Sequence, residues 1–436
     1  MPNNGNDEKI KKNSKAKLKA NNRYTAKNYE EVKFRVPKGE KTKLKQYAQE
    51  HHYSVNALIY DALLHYCRFL DESVSHQTEL TSPAELLPVS EPQYHIPDHP
   101  DGYKVVSLFS GMGSICLAFA QAGFKIVKSF DEDHDACELV RSYFGKDIAV
   151  EDDILRIDYK DYPHADVLVV GFPNIVPIDG LVIEDAAQYY DDLLRRVLDI
   201  AQAIKPRVIY MEFDDLDPID FNNRYLSEEE IKTRMILESF KEESFRFLDN
   251  FFKASAYYLF DYSVKANEFS ELSQSGKKKY FIAVNEISNL LAFNLAEPIQ
   301  SKAVPAVDQI RRDQKQEDFF YYHNNISFER FVINTIKSEH MLYRVHMSKI
   351  YNCIDGMCPA LNSYMVNKRN TVALLDDYGV RQLTPKEYLM FKGYPNGIDF
   401  PKDMRIEKRY QLAGGSATIP ITKQFAKKIK EHLDSI

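Results

Sequence analysis

An α/β domain built on a mostly parallel sheet is the fold that the sequence predicts for residues 103 to 434, with a small strand–helix–helix unit ahead of it. Two observations predict the sheet. Apolar runs at 104–109, 125–130, 166–171, 207–211 and 279–284 alternate with stretches of helical periodicity, as a sheet covered by helices on both faces requires. A glycine turn, Ser110 to Ser114 with Gly111 and Gly113 inside it, follows the first run directly and opens an amphipathic stretch over 115–122. The third observation concerns the start of the chain. Val32, Phe34 and Val36 alternate with Lys33 and Arg35, the pattern of a short half-buried strand.

Bulk properties bound the rest. At 436 residues the chain has room for two or three domains. Hydrophobic residues at 44% and charged residues at 28% are ordinary for a soluble globular protein and indicate no disordered or membrane class. No apolar run reaches the roughly 18 residues that span a bilayer, and the lysine-rich start lacks the apolar stretch of a secretory signal. The expectation is therefore a cytoplasmic protein with no membrane contact. Cys67, Cys116, Cys137, Cys353 and Cys358 lack paired zinc-site spacing and are read as reduced thiols, with no metal. The net charge of −7 hides a split, because residues 1–50 hold 14 Lys and Arg against 6 Asp and Glu. Cations concentrated there suit a polyanion whose counterions they can displace.

Residues 1–29 are polar and predict a flexible basic arm. After the strand, Pro37 and Gly39 make a break. Leu44, Tyr47 and Ala48 mark one helix; Val55, Leu58, Ile59, Ala62, Leu63 and Tyr66 mark a second, with Ser54 as its N-cap. A unit of about 40 residues cannot bury these faces alone, so it is expected to dimerise. Residues 30–70 resemble the ribbon–helix–helix family of DNA-binding proteins. That resemblance implies that Lys33 and Arg35 face base edges, and that backbone amides near Ser54 and Asn56 hold a phosphate at a helix N-terminus. Residues 71–102, with Pro83, Pro88, Pro92, Pro97 and Pro100, predict a semi-extended linker.

In the α/β part, the glycine turn lets a ligand approach the backbone beside a helix N-terminus. The second strand ends in Asp131, Glu132 and Asp133. A carboxylate there can accept hydrogen bonds from both hydroxyls of a ribose. A third strand end carries Asp152, Asp153 and Ile154. Three strand ends thus converge on one nucleoside-sized ligand.

From about Lys104 to Ile429 these motifs, in their order, resemble the C5 cytosine-specific DNA methyltransferases. The resemblance implies a Rossmann-like S-adenosylmethionine-dependent methyltransferase fold with a smaller target-recognition domain. The expected domains are 103–287 for the cofactor, 288–380 for target recognition, and 381–436 completing the first. It implies S-adenosyl-L-methionine as cofactor and double-stranded DNA as partner. Phe109 would stack on adenine, Asp131 and Glu132 would meet the ribose, and Asp153 and Ile154 would flank the adenine. Phe172, Pro173 and Ser416 would complete the pocket with Gly111 and Gly113.

The same resemblance exposes departures. The strand 166–171 runs into Phe172 and Pro173, the approach to the family's Pro-Cys-Gln motif, but position 174 is Asn174. A thiolate adds to C6 of the flipped cytosine and makes C5 nucleophilic; a carboxamide cannot. In the Glu-Asn-Val motif Glu212 is kept, while Phe213 and Asp214 replace the other two. In the Gln-x-Arg-x-Arg motif Gln274 is followed by Gly276 and Lys278 at the arginine positions. Arg381 to Glu387, then Gly393, Tyr394 and Pro395, match the ninth motif closely. The last motif is Gly414, Gly415, Ser416 and Ala417. Within 288–380, Arg311, Arg312, Arg344, Lys349, Lys368 and Arg369 near the aromatic run Phe319 to Tyr322 are read as DNA-facing, Arg344 foremost. Losses cluster on residues that touch the target base. The expectation is a methyltransferase-like protein with catalysis lost or impaired, acting as a DNA-binding regulator or accessory subunit, with a homodimer through residues 30–70. The alternative is an active DNA (cytosine-5-)-methyltransferase that uses a displaced thiol, such as Cys353 or Cys358, or a partner methyltransferase subunit.

Overall fold

The computed structural model describes residues 45–46, 94–173, 183–214, 242–286, 306–347, 349–353 and 356–436. The chain divides into two compact units, Met1–Val89 and Ser90–Ile436. Of the first, only Lys45 and Gln46 are described, and both are helical and exposed. The predicted arm, the ribbon–helix–helix unit apart from Lys45 and Gln46, with Lys33, Arg35, Ser54 and Asn56, and residues 71–93 of the linker lie outside the described residues, as does Asn174.

The second unit carries a seven-stranded sheet. Its strands are β1 Lys104–Leu108, β2 Lys125–Asp131, β3 Ala149–Glu151, β4 Val167–Gly171, β5 Val208–Asp214, β6 Tyr258–Lys265 and β7 Lys277–Val284, in the order β3-β2-β1-β4-β5-β7-β6. The pairs from β3 to β5 are parallel, with Val105 beside Val167 and Val167 beside Val208, whereas β7 runs antiparallel to both β5 and β6. A strand buried on both faces needs apolar residues at every position. Accordingly β1, β4 and β5 are mostly apolar, with Ser107 buried in β1 and the acids Glu212 and Asp214 confined to the C-terminal end of β5. Edge strand β6 mixes apolar and polar residues and buries only Val264, so it offered no apolar run in the sequence.

Period-two geometry divides the core. Val106, Leu108, Leu168, Val170, Ile209 and Met211 face α3 (Ile183–Ile204) through Leu194, Val197 and Ala201. Val105, Val167, Val169, Val208 and Tyr210 face α1 (Ser114–Gln121) and the C-terminal helix (Ile419–Asp434) through Phe119, Phe425 and Ile429. Helix α2 (His134–Phe144) begins at the end of β2, where Asp133 caps it by accepting the Ala136 N–H at 3.1 Å.

A second, four-stranded antiparallel sheet has the order β11-β10-β8-β9, from β8 Tyr343–His346, β9 Lys349–Asn352, β10 Asn370–Asp376 and β11 Gly379–Gln382. Helix α4 (Ser327–Thr335) packs on it through Val332. The expected domain boundary at 380 falls inside β11. Beyond it, α5 (Pro385–Lys392) starts with a capping box: Thr384 Oγ1 accepts the Glu387 N–H at 3.2 Å and Glu387 Oε2 accepts the Thr384 N–H at 2.6 Å. Helices α6 (Ile406–Gly415) and α7 (Ile419–Asp434) follow.

Gly414 in α6 is there for space. A Cβ built on it would lie 2.2 Å from the backbone oxygen of Asn362, whereas one on Gly415 would meet only Ser363 Cβ at 3.7 Å. We expect Gly414→Ala to lower stability by about 1–3 kcal/mol, the usual range for overpacking against backbone. Gly415→Ala should stay within about 0.5 kcal/mol of the parent. Urea denaturation of the two variants checks both, and equal midpoints would contradict the contact.

Candidate cofactor and base site

A cavity of about 310 Å³ opens over the C-terminal ends of β1, β2, β4 and β5. Strand ends of an open α/β sheet are where such a crevice forms. Its wall contains Phe109, Gly111, Asp131, Glu132, Asp153, Ile154, Phe172, Pro173, Glu212, Lys278 and Ser416. The structure thus brings most of the sequence-nominated residues into one place. Gly113 is different: it precedes α1 with φ +82°, and a Cβ there would meet Val140 Cγ2 of α2 at 3.1 Å. It lets two helices approach and does not line the cavity.

The glycine turn and the acid at the end of β2 hold each other. Asp131 Oδ2 accepts the Gly111 N–H at 2.7 Å and Oδ1 accepts the Asp133 N–H at 2.9 Å. Each oxygen keeps a lone pair for a ligand. Burial pushes the Asp131 carboxyl above the usual carboxylate range, against the pull of those two amides. Gly111 has φ +50°, and a Cβ there would meet nothing within 4 Å, so its backbone borders open space. Phe109 also sits at positive φ, 51°, a conformation a bulky residue holds only under constraint from its surroundings. Its ring meets Phe172 edge-on at 5.5 Å. At the third strand end, Asp153 Oδ1 accepts the Leu155 N–H at 2.9 Å and Ile154 is buried.

The other end of the cavity is ionic. Glu212, 3% exposed, pairs with Lys278 Nζ at 2.8 Å, and the same ammonium meets Asp214 Oδ1 at 2.7 Å. Glu212 Oε2 also accepts from Thr422 Oγ1 at 3.2 Å and from the Tyr210 hydroxyl at 3.4 Å. Burial pulls the Lys278 ammonium down, but Asp214 and Glu212 more than reverse that and hold it charged. Below this cluster Lys392 is fully enclosed and donates to the carbonyls of Leu361 and Ser416, both at 3.0 Å. Burial, with Lys278 adding to it, pushes Lys392 down to about 7. The reading of the sequence did not nominate Asp214; a second carboxylate two residues beyond Glu212, on the same face of a strand, was the available signal.

Ser416 is tied into the wall. Its hydroxyl donates to the Leu412 carbonyl at 2.8 Å and meets the Tyr394 hydroxyl at 3.0 Å. Arg344 lies in the small sheet, outside this cavity. Its guanidinium donates to the Thr371 carbonyl at 3.0 Å and to the Val345 carbonyl and Asn370 Oδ1, and burial lowers its pKa. These bonds turn Arg344 inward, away from the outward-facing role read from sequence. The aromatic run is core as well: Phe320, Tyr321 and Tyr322 are each 5% exposed, and the Tyr321 hydroxyl donates to Asp376 Oδ2 at 3.0 Å. All four described cysteines are buried, and none lines the cavity. Burial pushes Cys116 up to about 11, Cys137 and Cys353 up to about 12, and Cys358 well above its ordinary value.

Comparison with known proteins follows the same line. Residues 103–213 match the C-5 cytosine-specific DNA methylase family. The Type II methyltransferase M.Bsp6I of Bacillus sp. (strain RFL6) is 26% identical over 76% of this chain and 99% of its own length. The Type II methyltransferase M.NgoBI of Neisseria gonorrhoeae is 24% identical over 73% of this chain and 90% of its own. Among solved structures, Entamoeba histolytica EhMeth superposes with TM-score 0.52 and 14% identity, covering 76% of this chain and 99% of that one. The S. pombe Dnmt2 methyltransferase gives 0.51 at 16% identity over 76% and 98%. These last two likenesses concern the fold. The matched segment and the relatives aligned along three quarters of the chain agree: this chain is similar to the C-5 cytosine-specific DNA methylases.

Proposed function

We propose that this chain binds S-adenosyl-L-methionine and double-stranded DNA as a methyltransferase-like protein whose methyl transfer is lost, serving as a DNA-binding regulator or accessory subunit. Members of the C-5 cytosine family use S-adenosyl-L-methionine as methyl donor. The cavity fits that group: Gly111 leaves its backbone open, Asp131 keeps lone pairs for two hydroxyls, and Phe109 and Ile154 offer apolar flanks for a purine. Its volume lies at the lower end of the roughly 300–1,000 Å³ of small-molecule sites. The bound cofactor would supply an electrophilic methyl group.

One observation carries the loss of transfer: position 174, where the family pattern places the attacking thiol, is asparagine. The described cysteines support the same reading, since each is buried and burial raises its pKa, away from the thiolate that attacks. If residues 30–70 pair two chains, two DNA-binding surfaces act at high effective concentration on neighbouring sites.

The test is incubation of the purified full chain with plasmid and cofactor carrying a labelled methyl group, beside calorimetry with the unlabelled cofactor. We expect heat of binding and no label in DNA. Label recovered as 5-methylcytosine with the chain alone would overturn the reading in favour of an active enzyme. Label that appears only when a second polypeptide is added would favour the accessory role.

A further inference from the structure

We propose that Lys278 is a built-in plug at the base-reading end of the cavity, so that the chain engages DNA without extruding a base. The inference rests on the proposed reading of this cavity and goes beyond it by naming what keeps that end shut.

Two departures from the family pattern form one feature. Asp214 and Lys278 are direct cross-strand partners in the antiparallel β5–β7 pair, and Glu212 stands two residues back on the same face. From that register the ammonium reaches Asp214 Oδ1 at 2.7 Å and Glu212 Oε1 at 2.8 Å. Glu212 Oε2 is engaged as well, by Thr422 Oγ1 at 3.2 Å. A cytosine would present N–H donors to Glu212. Lys278 presents donors of the same kind, with a full charge, in a site where its side chain is only 14% exposed.

Asp214 makes the plug hold. A base that satisfied Glu212 alone would still find the ammonium held from the opposite side by Asp214. Removing the lysine alone would leave two facing carboxylates, so the pair has to be changed together. Phe213, between the two acids in sequence, projects to the opposite face of β5 and stacks on Phe172 at 4.9 Å and 19°.

The experiment uses the full chain on plasmid DNA at saturating protein, with binding followed by gel retardation. Chloroacetaldehyde, which modifies cytosines freed from pairing, reports extrusion, and the modified positions are mapped by sequencing. The parent is compared with Asp214→Val/Lys278→Ala and with Asp214→Val/Lys278→Met, the second keeping the apolar length of the side chain without its cation for a chain that fails to fold with alanine. We expect no cytosine reactive above free DNA with the parent, and recurring reactive cytosines, several-fold above free DNA, with a double variant that retards DNA. Reactive cytosines with the parent would overturn the proposal, as would DNA-bound variants with none. Absence of retardation by the parent would instead sink the DNA-binding reading itself, and the plug with it.

Discussion

Replacing Arg381 with alanine is expected to lower folding stability by about 3–5 kcal/mol, the range found when one partner of a buried ion pair is removed. Arg381 is fully enclosed. Its Nε donates to Asp376 Oδ2 at 2.6 Å, and its two terminal nitrogens donate to Glu387 Oε2 and Oε1 at 2.9 and 2.8 Å. Nη1 also donates to the Gln382 carbonyl at 3.1 Å. Alanine would leave Asp376 buried and facing a void, and would free the Glu387 side chain that caps α5 through the Thr384 N–H. Lysine should recover little, because a point charge cannot meet two carboxylates in the geometry of a planar fork. Urea denaturation checks the figure, and a loss below about 1 kcal/mol, the level of an exposed pair, would refute the network. The effect should also reach the cavity, since α5 ends at Lys392, which holds the carbonyls of Leu361 and Ser416.

How much of this was legible beforehand depended on the range of the signal. The central strands were readable because β1, β4 and β5, covered on both faces, are mostly apolar, and the turn at Gly111 because a glycine between a strand and a helix is a local device. The ninth-motif string could be read directly, while the capping box inside it, Thr384 to Glu387, came from the structure. Register was not legible. Nothing near Lys278 in sequence announces Asp214, 64 positions earlier; only the β5–β7 pairing sets them opposite. The hydrogen bonds of Arg344 were not legible for a related reason. In a four-residue strand such as Tyr343–His346 one step of the pleat decides which way a cation points, and here it points to Thr371 and Asn370. The aromatic run Phe319 to Tyr322 was ambiguous because a base-stacking surface and a core have the same composition.

The cofactor end supports the second large effect. Asp131→Asn should weaken binding of S-adenosyl-L-methionine by about 10–100-fold, because hydrogen bonds to a charged acceptor contribute roughly 1.5–3 kcal/mol and the amide keeps only one oxygen. Asparagine is the sharper test than alanine, since its remaining oxygen can still accept the Gly111 N–H and hold the turn. A melting temperature close to the parent's would separate ligand contact from a collapsed loop. The pH dependence has a definite sign. In the proposed site ionised Asp131 would be the form that accepts from both hydroxyls, and burial holds its pKa above the ordinary carboxylate range. Protonation therefore reaches it earlier as pH falls, and affinity should be flat near neutrality and decline at a higher pH than an exposed aspartate would give. The asparagine variant has no such proton to gain, so its affinity should not share the decline. Isothermal calorimetry across acidic pH on both proteins decides the matter: parallel curves, or an asparagine variant that binds as tightly as the parent at neutral pH, would remove Asp131 from the cofactor site.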